Sequence, residues 1–274
     1  MFLEILQYQF FQNALLAAVL ASVACGIVGT YIVVKRISLI SGSIAHTAFG
    51  GLGLGYFLNI NPILGAGFFS AFAAVVVSVL RNKSKKSIDT LLSAIWAVGM
   101  SLGLIFIFLT PGYATDLFTF LFGNILLVNS FDLMLLFVTD IIIILITVFL
   151  YNSFLTVLFD EEFARTKNMP VFAIFTILLV MISLAVVMLI KVVGIILVIA
   201  LLTIPAATAR LFNKTLKRIM VTATLLTLII TVGGIFISYF TGFPTGPIIV
   251  LFSAVIYLIG IVLSKKRSLF SNLM

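Results

Sequence analysis

The sequence predicts an all-α membrane protein, a bundle of about nine transmembrane helices. Hydrophobic residues make up 63% of the 274-residue chain and charged residues only 9%, whereas about 25% of a soluble domain is charged. The mean hydropathy is correspondingly high, at +1.37. Apolar runs longer than about 18 residues recur along the chain, as transmembrane helices require. Inside a bilayer only helices and closed barrels satisfy the backbone hydrogen bonds.

The predicted spans are helices rather than the strands of a barrel. Barrel strands are about ten residues long and alternate polar with apolar positions, but the run Val171–Ile190 shows no such alternation. Nine spans fit the pattern best, and eight or ten are compatible with it. A shorter apolar piece, 118–128, is too short to cross and is expected to be re-entrant or interfacial. The nine predicted spans are residues 10–34, 37–58, 62–80, 88–109, 131–152, 171–190, 192–211, 220–240 and 248–263.

The basic residues predict the orientation of the chain. Nine spans place fifteen of the sixteen Lys and Arg on one side of the membrane and only Lys191 on the other. Because cytoplasmic loops are enriched in Lys and Arg, we expect the C-terminus in the cytoplasm and the N-terminus outside. This rule explains the net charge of +8 without a nucleic-acid partner. The five basic clusters are Lys35–Arg36, Arg81–Lys86, Arg165–Lys167, Arg210–Arg218 and Lys265–Arg267.

The sequence lacks the motifs of common catalytic sites. The dipeptide Gly-Lys does not occur, so the chain has no P-loop for ATP. Cys25 is the single cysteine and His46 the single histidine, which excludes an intrachain disulfide, a cysteine-based metal cluster and most hydrolase sites. We therefore predict a non-catalytic conduit or membrane subunit that forms one transmembrane domain over residues 1–274.

His46 is the first candidate functional residue. It lies inside the second predicted span, where an ionisable side chain marks a pathway by default. Gly42 and Ser43 precede it by one helical turn and share its face, so that face is narrow, small and hydroxylated. Such a face is typical of the lining of a tight passage, where the neutral imidazole could bind zinc, manganese or iron. The alternative is a core histidine hydrogen-bonded to a hydroxyl or a carbonyl. A metal site needs more ligands than one histidine, and a symmetric dimer would supply a second copy.

Asp140 and Pro205 are further candidates for the lining of a pathway. Asp140 is the only carboxylate well inside a predicted span; it is either a pathway group or a partner for polar groups of a neighbouring helix. Pro205 removes a backbone hydrogen bond from the interior of its helix, which suits either a gate or simple packing. Gly51 and Gly55 form a GxxxG pair, which predicts a close crossing with another helix.

The charged segment at about 159–169 predicts a short amphipathic helix on the cytoplasmic surface. Its acidic residues precede its basic ones, as the helix dipole favours, and Glu161 and Arg165 have the spacing of an i,i+4 ion pair. Asn168 tolerates a left-handed C-cap and Pro170 ends the helix. The helix either lies on the membrane surface or docks another protein. Its central residues are Asp160, Glu161, Glu162, Phe163, Ala164 and Arg165.

Three motifs of the chain are VVKRISLISGSIAH (33–46), DEEFAR (160–165) and VGIILVIALLTIPAATAR (193–210). They resemble the membrane permease subunit of bacterial and archaeal metal-ion ABC importers, the zinc/manganese/iron class. Length and hydropathy agree with this family across nearly the whole chain. The family's members often carry Asp four residues before the histidine, where this chain has Gly42, so the resemblance assigns a metal-pathway role to His46 alone. With fewer hard oxygen ligands, zinc is favoured over manganese, and iron is possible.

The resemblance also implies partners and a location. It implies a homodimer in the cell (inner) membrane, two ATP-binding subunits docked on the segment 159–169, and an extracytoplasmic metal-binding protein. ATP would be bound by the partner subunits, and the divalent metal ion would be cargo rather than a tightly bound cofactor. The implied mechanism is alternating access driven by ATP hydrolysis in the partners.

Three other functions compete with this interpretation. An ion- or proton-coupled carrier or channel would act without an ATPase and use His46 and Asp140 as relays, but it has no need of a docking helix at 159–169. A siderophore- or cobalamin-type ABC permease is usually longer, with about ten spans. A membrane scaffold that transports nothing would use His46 only for packing.

Overall fold

The computed structural model describes residues 7–83, 88–111 and 121–271, and these ranges are helical with no strand. Nine long helices and one short helix follow each other along this part of the chain. They are α1 (Gln9–Lys35), α2 (Ser38–Phe57), α3 (Pro62–Lys83), α4 (Ile88–Leu109), α5 (Ser130–Phe159), α6 (Glu161–Thr166), α7 (Val171–Val193), α8 (Ile195–Phe212), α9 (Leu216–Thr241) and α10 (Thr245–Ser271).

Each of the nine predicted spans coincides with one long helix. Among the described residues, seven helices are long and apolar enough to cross a membrane by length and composition: α1, α3, α4, α5, α7, α9 and α10. The other two, α2 and α8, are the spans that carry His46 and Pro205. The piece predicted at 118–128 is not a span in its described part, where residues 121–122 are helical and the 3-10 turn Ile125–Leu127 follows; residues 118–120 lie outside the described ranges.

Two predicted spans end too early: α10 continues past 263 to Ser271, and α5 continues past 152. In α5 the polar pair Asn152–Ser153 interrupts the apolar run, but the helix continues through a second apolar stretch to Phe159. It ends there because Asp160 adopts an extended backbone (φ −147°) and its side chain accepts a hydrogen bond from the N–H of Phe163 at 2.8 Å. This N-cap starts α6, so the capping residue of the next helix, rather than hydrophobicity, sets the end of α5.

Helices α1 and α7 form the interior of the bundle. In the apolar 18-residue stretch of each of these two helices, two thirds of the residues are buried. The buried share is less than a third in α4, α5 and α10. Helix α1 packs on α9, α8 and α5, and α7 packs on α3, α5 and α2. The peripheral helices expose large apolar side chains, as lipid-facing or partner-facing surfaces do.

Glycines hold α2 tightly between α3 and α4. A Cβ at Gly51 would overlap the carbonyl oxygen of Gly65 in α3, and a Cβ at Gly55 would lie 2.7 Å from the Cα of Pro62. On the other side, a Cβ at Gly50 would lie 2.8 Å from the carbonyl oxygen of Gly99 in α4. The predicted close crossing at Gly51 and Gly55 is therefore confirmed, and its partner is α3.

Charged residues meet at the two ends of the bundle. Lys35 and Arg81 both bind Glu161 at one end, which we call the basic end. At the opposite end Lys191 binds Asp132, which also caps α5 together with Asn129. The structure thus separates Lys191 from Lys35 and Arg81, as the predicted topology requires.

Candidate functional site

His46 lies in the middle of α2 and is only 6% exposed. Its imidazole stacks on the indole of Trp96 in α4, with ring centroids 4.1 Å apart and an interplanar angle of 21°. The stack is possible because the helices approach closely here: a Cβ at Gly99 would lie 2.7 Å from the Cα of Thr47. Trp96 escaped the sequence analysis, although it is the only tryptophan of the chain and lies within a predicted span.

The imidazole of His46 has an unused nitrogen. Its Nδ1 is buried and has no hydrogen-bond partner. The nearest predicted partner, Ser43, instead donates its hydroxyl to the carbonyl oxygens of Leu39 and Leu92, each at 2.9 Å. In this structure Nδ1 therefore forms no hydrogen bond with a hydroxyl or a carbonyl. A neutral imidazole nitrogen without a partner can bind a metal cation.

Gly42, Ser43 and His46 share one face, as predicted, and that face packs on α4. Ser43 bonds to Leu92, His46 stacks on Trp96, and the backbone of Gly42 lies against the edge of the same indole. A Cβ at position 42 would be 2.5 Å from Cζ3 of Trp96. The structure therefore brings the three residues together, with Trp96 as the fourth member of the group.

Asp140 belongs to a different part of the bundle. It lies on α5, whose main neighbours are α1 and α7, whereas α2 packs chiefly on α3 and α4. Asp140 is 4% exposed, and neither carboxyl oxygen has a hydrogen-bond partner. The predicted alternative, a carboxylate bonded to polar groups of a neighbouring helix, is therefore wrong. Among the described residues no group of three His, Cys, Asp or Glu could hold a metal ion.

Pro205 is buried in α8, which remains helical on both sides of it. Because proline has no N–H, it cannot donate a hydrogen bond to the carbonyl of Leu201, which lies one turn earlier in the helix. The preceding turn of α8 packs tightly on α1, where a Cβ at Gly29 would overlap the carbonyl oxygen of Leu202. The structure thus places Pro205 in a helix that packs on α1, α9 and α10, with a smaller contact to α2.

The predicted surface helix is present, but its ion pairs differ from the prediction. It spans Glu161–Thr166 and is capped by Asp160, and Asn168 adopts the predicted left-handed backbone (φ 54°). Glu161 does not pair with Arg165. Its Oε1 instead lies 2.7 Å from Nζ of Lys35 and 2.7 Å from Nη2 of Arg81, because the ends of α1 and α3 approach closer than the next turn of the short helix.

This three-residue group, Lys35, Arg81 and Glu161, joins five helices. The Nζ of Lys35 also donates to the carbonyl oxygens of Val157 and Leu158 in the last turn of α5, at 2.7 and 3.3 Å. The guanidinium of Arg81 lies 4.0 Å from the ring centroid of Phe175 in α7. Partial burial opposes the charge on Glu161, but the hydrogen bonds from Lys35 and Arg81 outweigh it and lower its pKa.

The outer face of α6 is exposed. Ala164 is buried against the bundle, while Phe163 is half exposed and Glu162 and Arg165 are exposed. The ammonium of Lys167 lies 5.7 Å from the ring of Phe163. Beside this helix is a cavity of about 360 Å³, lined by Ser78, Arg81, Asn82, Glu161, Arg165, Val171, Phe172 and Phe175.

Comparisons with known proteins agree on one family. The family described as "ABC 3 transport family" matches residues 7–264. The manganese transport system membrane protein MntC of Listeria monocytogenes is 31% identical, over 98% of this chain and 96% of its own length. The high-affinity zinc uptake system membrane protein ZnuB of Buchnera aphidicola is 34% identical, over 89% of this chain and 94% of its own.

A solved structure has the same fold. PsaBC from Streptococcus pneumoniae, determined in complex with a Fab, superposes with a TM-score of 0.86 at 31% identity, covering 95% of each chain. The likeness therefore extends over nearly the entire bundle.

Proposed function

The chain belongs to the ABC 3 transport family, as a membrane subunit of metal-ion ABC importers, and we propose that it carries zinc into the cytoplasm in preference to manganese or iron. Its homologues include membrane proteins of both manganese and zinc systems, so the names of relatives do not choose between the metals. The observation that carries the proposal is the buried His46, whose Nδ1 has no partner.

The proposed route of the metal ion passes His46. A single imidazole replaces only part of the ion's hydration shell, so binding is weak and release is easy, as conduction requires. No carboxylate accompanies His46 on its face of α2, where the neighbouring positions are Gly42 and Ser43. An imidazole without hard oxygen ligands favours zinc over manganese. The role of Asp140 and Pro205 as further lining residues is part of the same proposal.

Energy for transport comes, in this proposal, from two ATP-binding subunits docked on the exposed face of α6. Glu161 would transmit their movement, because its carboxylate binds the ends of α1 and α3 directly. Helix α1 in turn packs on α5, α8 and α9. A shift of α6 would therefore move α1, which lies in the interior of the bundle. Movement of α1 would close the metal route on one side of the membrane and open it on the other.

The proposed assembly is a homodimer in the cell membrane with the basic end of the bundle in the cytoplasm. One observation supports this orientation: the basic residues Lys35 and Arg81 lie at the same end as α6, and the positive-inside rule assigns a basic end to the cytoplasm. The homodimer is implied by the family resemblance. An extracytoplasmic metal-binding protein would then deliver the cargo at the end that carries Lys191 and Asp132, and the C-terminus would lie inside.

The proposal is tested by metal uptake in cells that express the chain with its own ATP-binding subunit and binding protein. We expect ATP-dependent import of zinc, and we expect His46→Ala to reduce it about tenfold or more. Loss of a residue that only supports a metal ligand already lowers metal affinity or activity about tenfold or more. Thr47→Val is the matched control, because Thr47 is the next residue and bonds only to the Ser43 carbonyl.

Each other outcome has a defined meaning. Import that survives His46→Ala at the wild-type rate would remove His46 from the route and leave an importer. Import that needs no ATP-binding subunit would favour the ion- or proton-coupled carrier. No import of zinc, manganese or iron by the assembled complex would refute the metal cargo.

A further inference from the structure

We propose that Trp96 is a specificity-determining residue, whose indole excludes oxygen ligands from the neighbourhood of His46 and so disfavours manganese. This inference deepens the proposed function and rests on it. It depends on one juxtaposition: a single ring is stacked on the imidazole of His46 and pressed against the backbone of Gly42.

Position 42 is where α2 itself could supply a second ligand. It lies one turn before His46 on the same face, where side chains i and i+4 meet. The indole takes up that space, because Cζ3 of Trp96 lies 2.5 Å, and Cε3 and Cη2 each 3.2 Å, from the point that a Cβ would occupy. Any side chain at position 42 must therefore displace the indole, and any water beside the imidazole must compete with it.

The indole has little freedom to move away. One turn before it, Ser43 of α2 bonds to the carbonyl of Leu92 at 2.9 Å. One turn after it, a Cβ at Gly99 would lie 3.0 Å from the carbonyl oxygen of His46. The two helices therefore contact each other on both sides of the stack, through the Ser43 hydroxyl on one side and through their backbones on the other. Trp96 is held in place by the crossing of α2 and α4.

The chemical consequence concerns the choice of metal. A metal ion bound to His46 meets one nitrogen donor and, on the side of Trp96, an aromatic ring instead of carboxylate or water oxygens. Manganese depends on hard oxygen ligands, whereas zinc accepts imidazole readily. The indole thereby lowers the affinity of the site for manganese more than that for zinc.

The test compares zinc and manganese import by the complete importer in the same assay, with the amount of each variant in the membrane measured. We expect Trp96→Ala to lower the ratio of zinc to manganese import about tenfold, equivalent to about 1.4 kcal/mol. Trp96→Phe, which keeps a ring on the imidazole, should retain most of the ratio. Phe106→Ala is the matched control, because Phe106 lies on the same helix and packs on Phe57 of α2 at 5.8 Å, away from His46.

A rescue experiment separates specificity from simple packing. Gly42→Asp alone should stop import of both metals, because its Cβ overlaps the indole. Combined with Trp96→Ala, the same aspartate gains room beside His46, and import should return with manganese now favoured over its wild-type share. If Gly42→Asp stopped import only by unfolding the protein, the second substitution would not restore import.

The outcomes distinguish this inference from the proposed function. Import of neither metal by the wild type would refute both. Wild-type import with an unchanged metal ratio in Trp96→Ala, and no recovery of import in the double variant, would refute the role of Trp96 and leave the importer intact.

Discussion

The Nζ of Lys35, the last residue of α1, lies 2.7 Å from the Oε1 of Glu161, the first residue of α6. The same oxygen accepts a hydrogen bond from Arg81 at 2.7 Å. The ends of two long helices and the start of the surface helix are thus joined through one carboxylate. Four predictions follow from this and other contacts.

Glu161→Gln should uncouple transport from ATP hydrolysis. The amide cannot form a charged pair with Lys35 and Arg81, and hydrogen bonds to charged groups are the stronger ones. We expect metal import to fall several-fold while ATP hydrolysis by the assembled complex continues. Asp89→Asn, which changes an exposed carboxylate in the first turn of α4, is the control and should leave both rates unchanged. Equal losses of import and hydrolysis would mean that the pair serves assembly instead.

The contribution of Glu161 to stability should depend on pH in a defined direction. Its pKa is lowered from the ordinary value of 4.5. A carboxyl whose folded pKa is lowered stabilises the fold fully above the unfolded pKa and loses this effect as pH falls through the folded pKa. The difference in melting temperature between wild type and Glu161→Gln should therefore be constant from pH 7.5 to about 5 and shrink below 4.5. A difference that grows on acidification would contradict the ion pair.

Two glycines of α3 should respond oppositely to alanine. A Cβ at Gly65 would overlap the carbonyl oxygen of Gly51, whereas a Cβ at Gly67 would have no atom within 4 Å. Overpacking costs about 1–3 kcal/mol, so Gly65→Ala should lower the thermal stability of the purified protein. Gly67→Ala should leave it unchanged or raise it by up to about 1 kcal/mol. The same loss at both positions would argue against close packing of α2 on α3.

Asp140→Asn should separate function from stability. A buried carboxyl with no partner destabilises the fold by about 1–3 kcal/mol, and both oxygens of Asp140 are in this state. We expect the variant to be at least as stable as the wild type but to import metal more slowly, because an amide attracts a cation less than a carboxylate does. The measurements are thermal unfolding and uptake. Unchanged import would remove Asp140 from the proposed route.

Local patterns in the sequence predicted the elements of this fold well. Each predicted span coincides with a helix, because a bilayer allows few ways to bury an apolar run of that length. The short helix α6 was predictable from its charge order and from Asn168, which adopts the predicted left-handed backbone, although the helix spans Glu161–Thr166 rather than about 159–169. The end of α5 was not predictable, since the helix continues past the polar pair Asn152–Ser153 until Asp160 caps α6.

The partners of the candidate residues were harder to predict. The spacing of Gly42, Ser43 and His46 placed them correctly on one face, but nothing local identified Trp96 as the residue that covers it. The i,i+4 rule assigned Arg165 to Glu161, whereas Lys35 and Arg81 occupy its carboxylate. Both results depend on which helices are neighbours, and that arises from contacts between residues far apart in the chain.

The sequence by itself determined that the chain is a helical membrane protein, where its long helices lie, which end is basic and which family it resembles. These properties follow from hydrophobicity, charge and short motifs, each of which acts locally. The tertiary structure decided that the indole of Trp96 lies against His46 and Gly42, that Asp140 lies on a helix packed mainly on α1 and α7, and that Glu161 joins α6 to α1 and α3. Such contacts are set by the close crossing of helices, where glycine backbones and single side chains determine what fits.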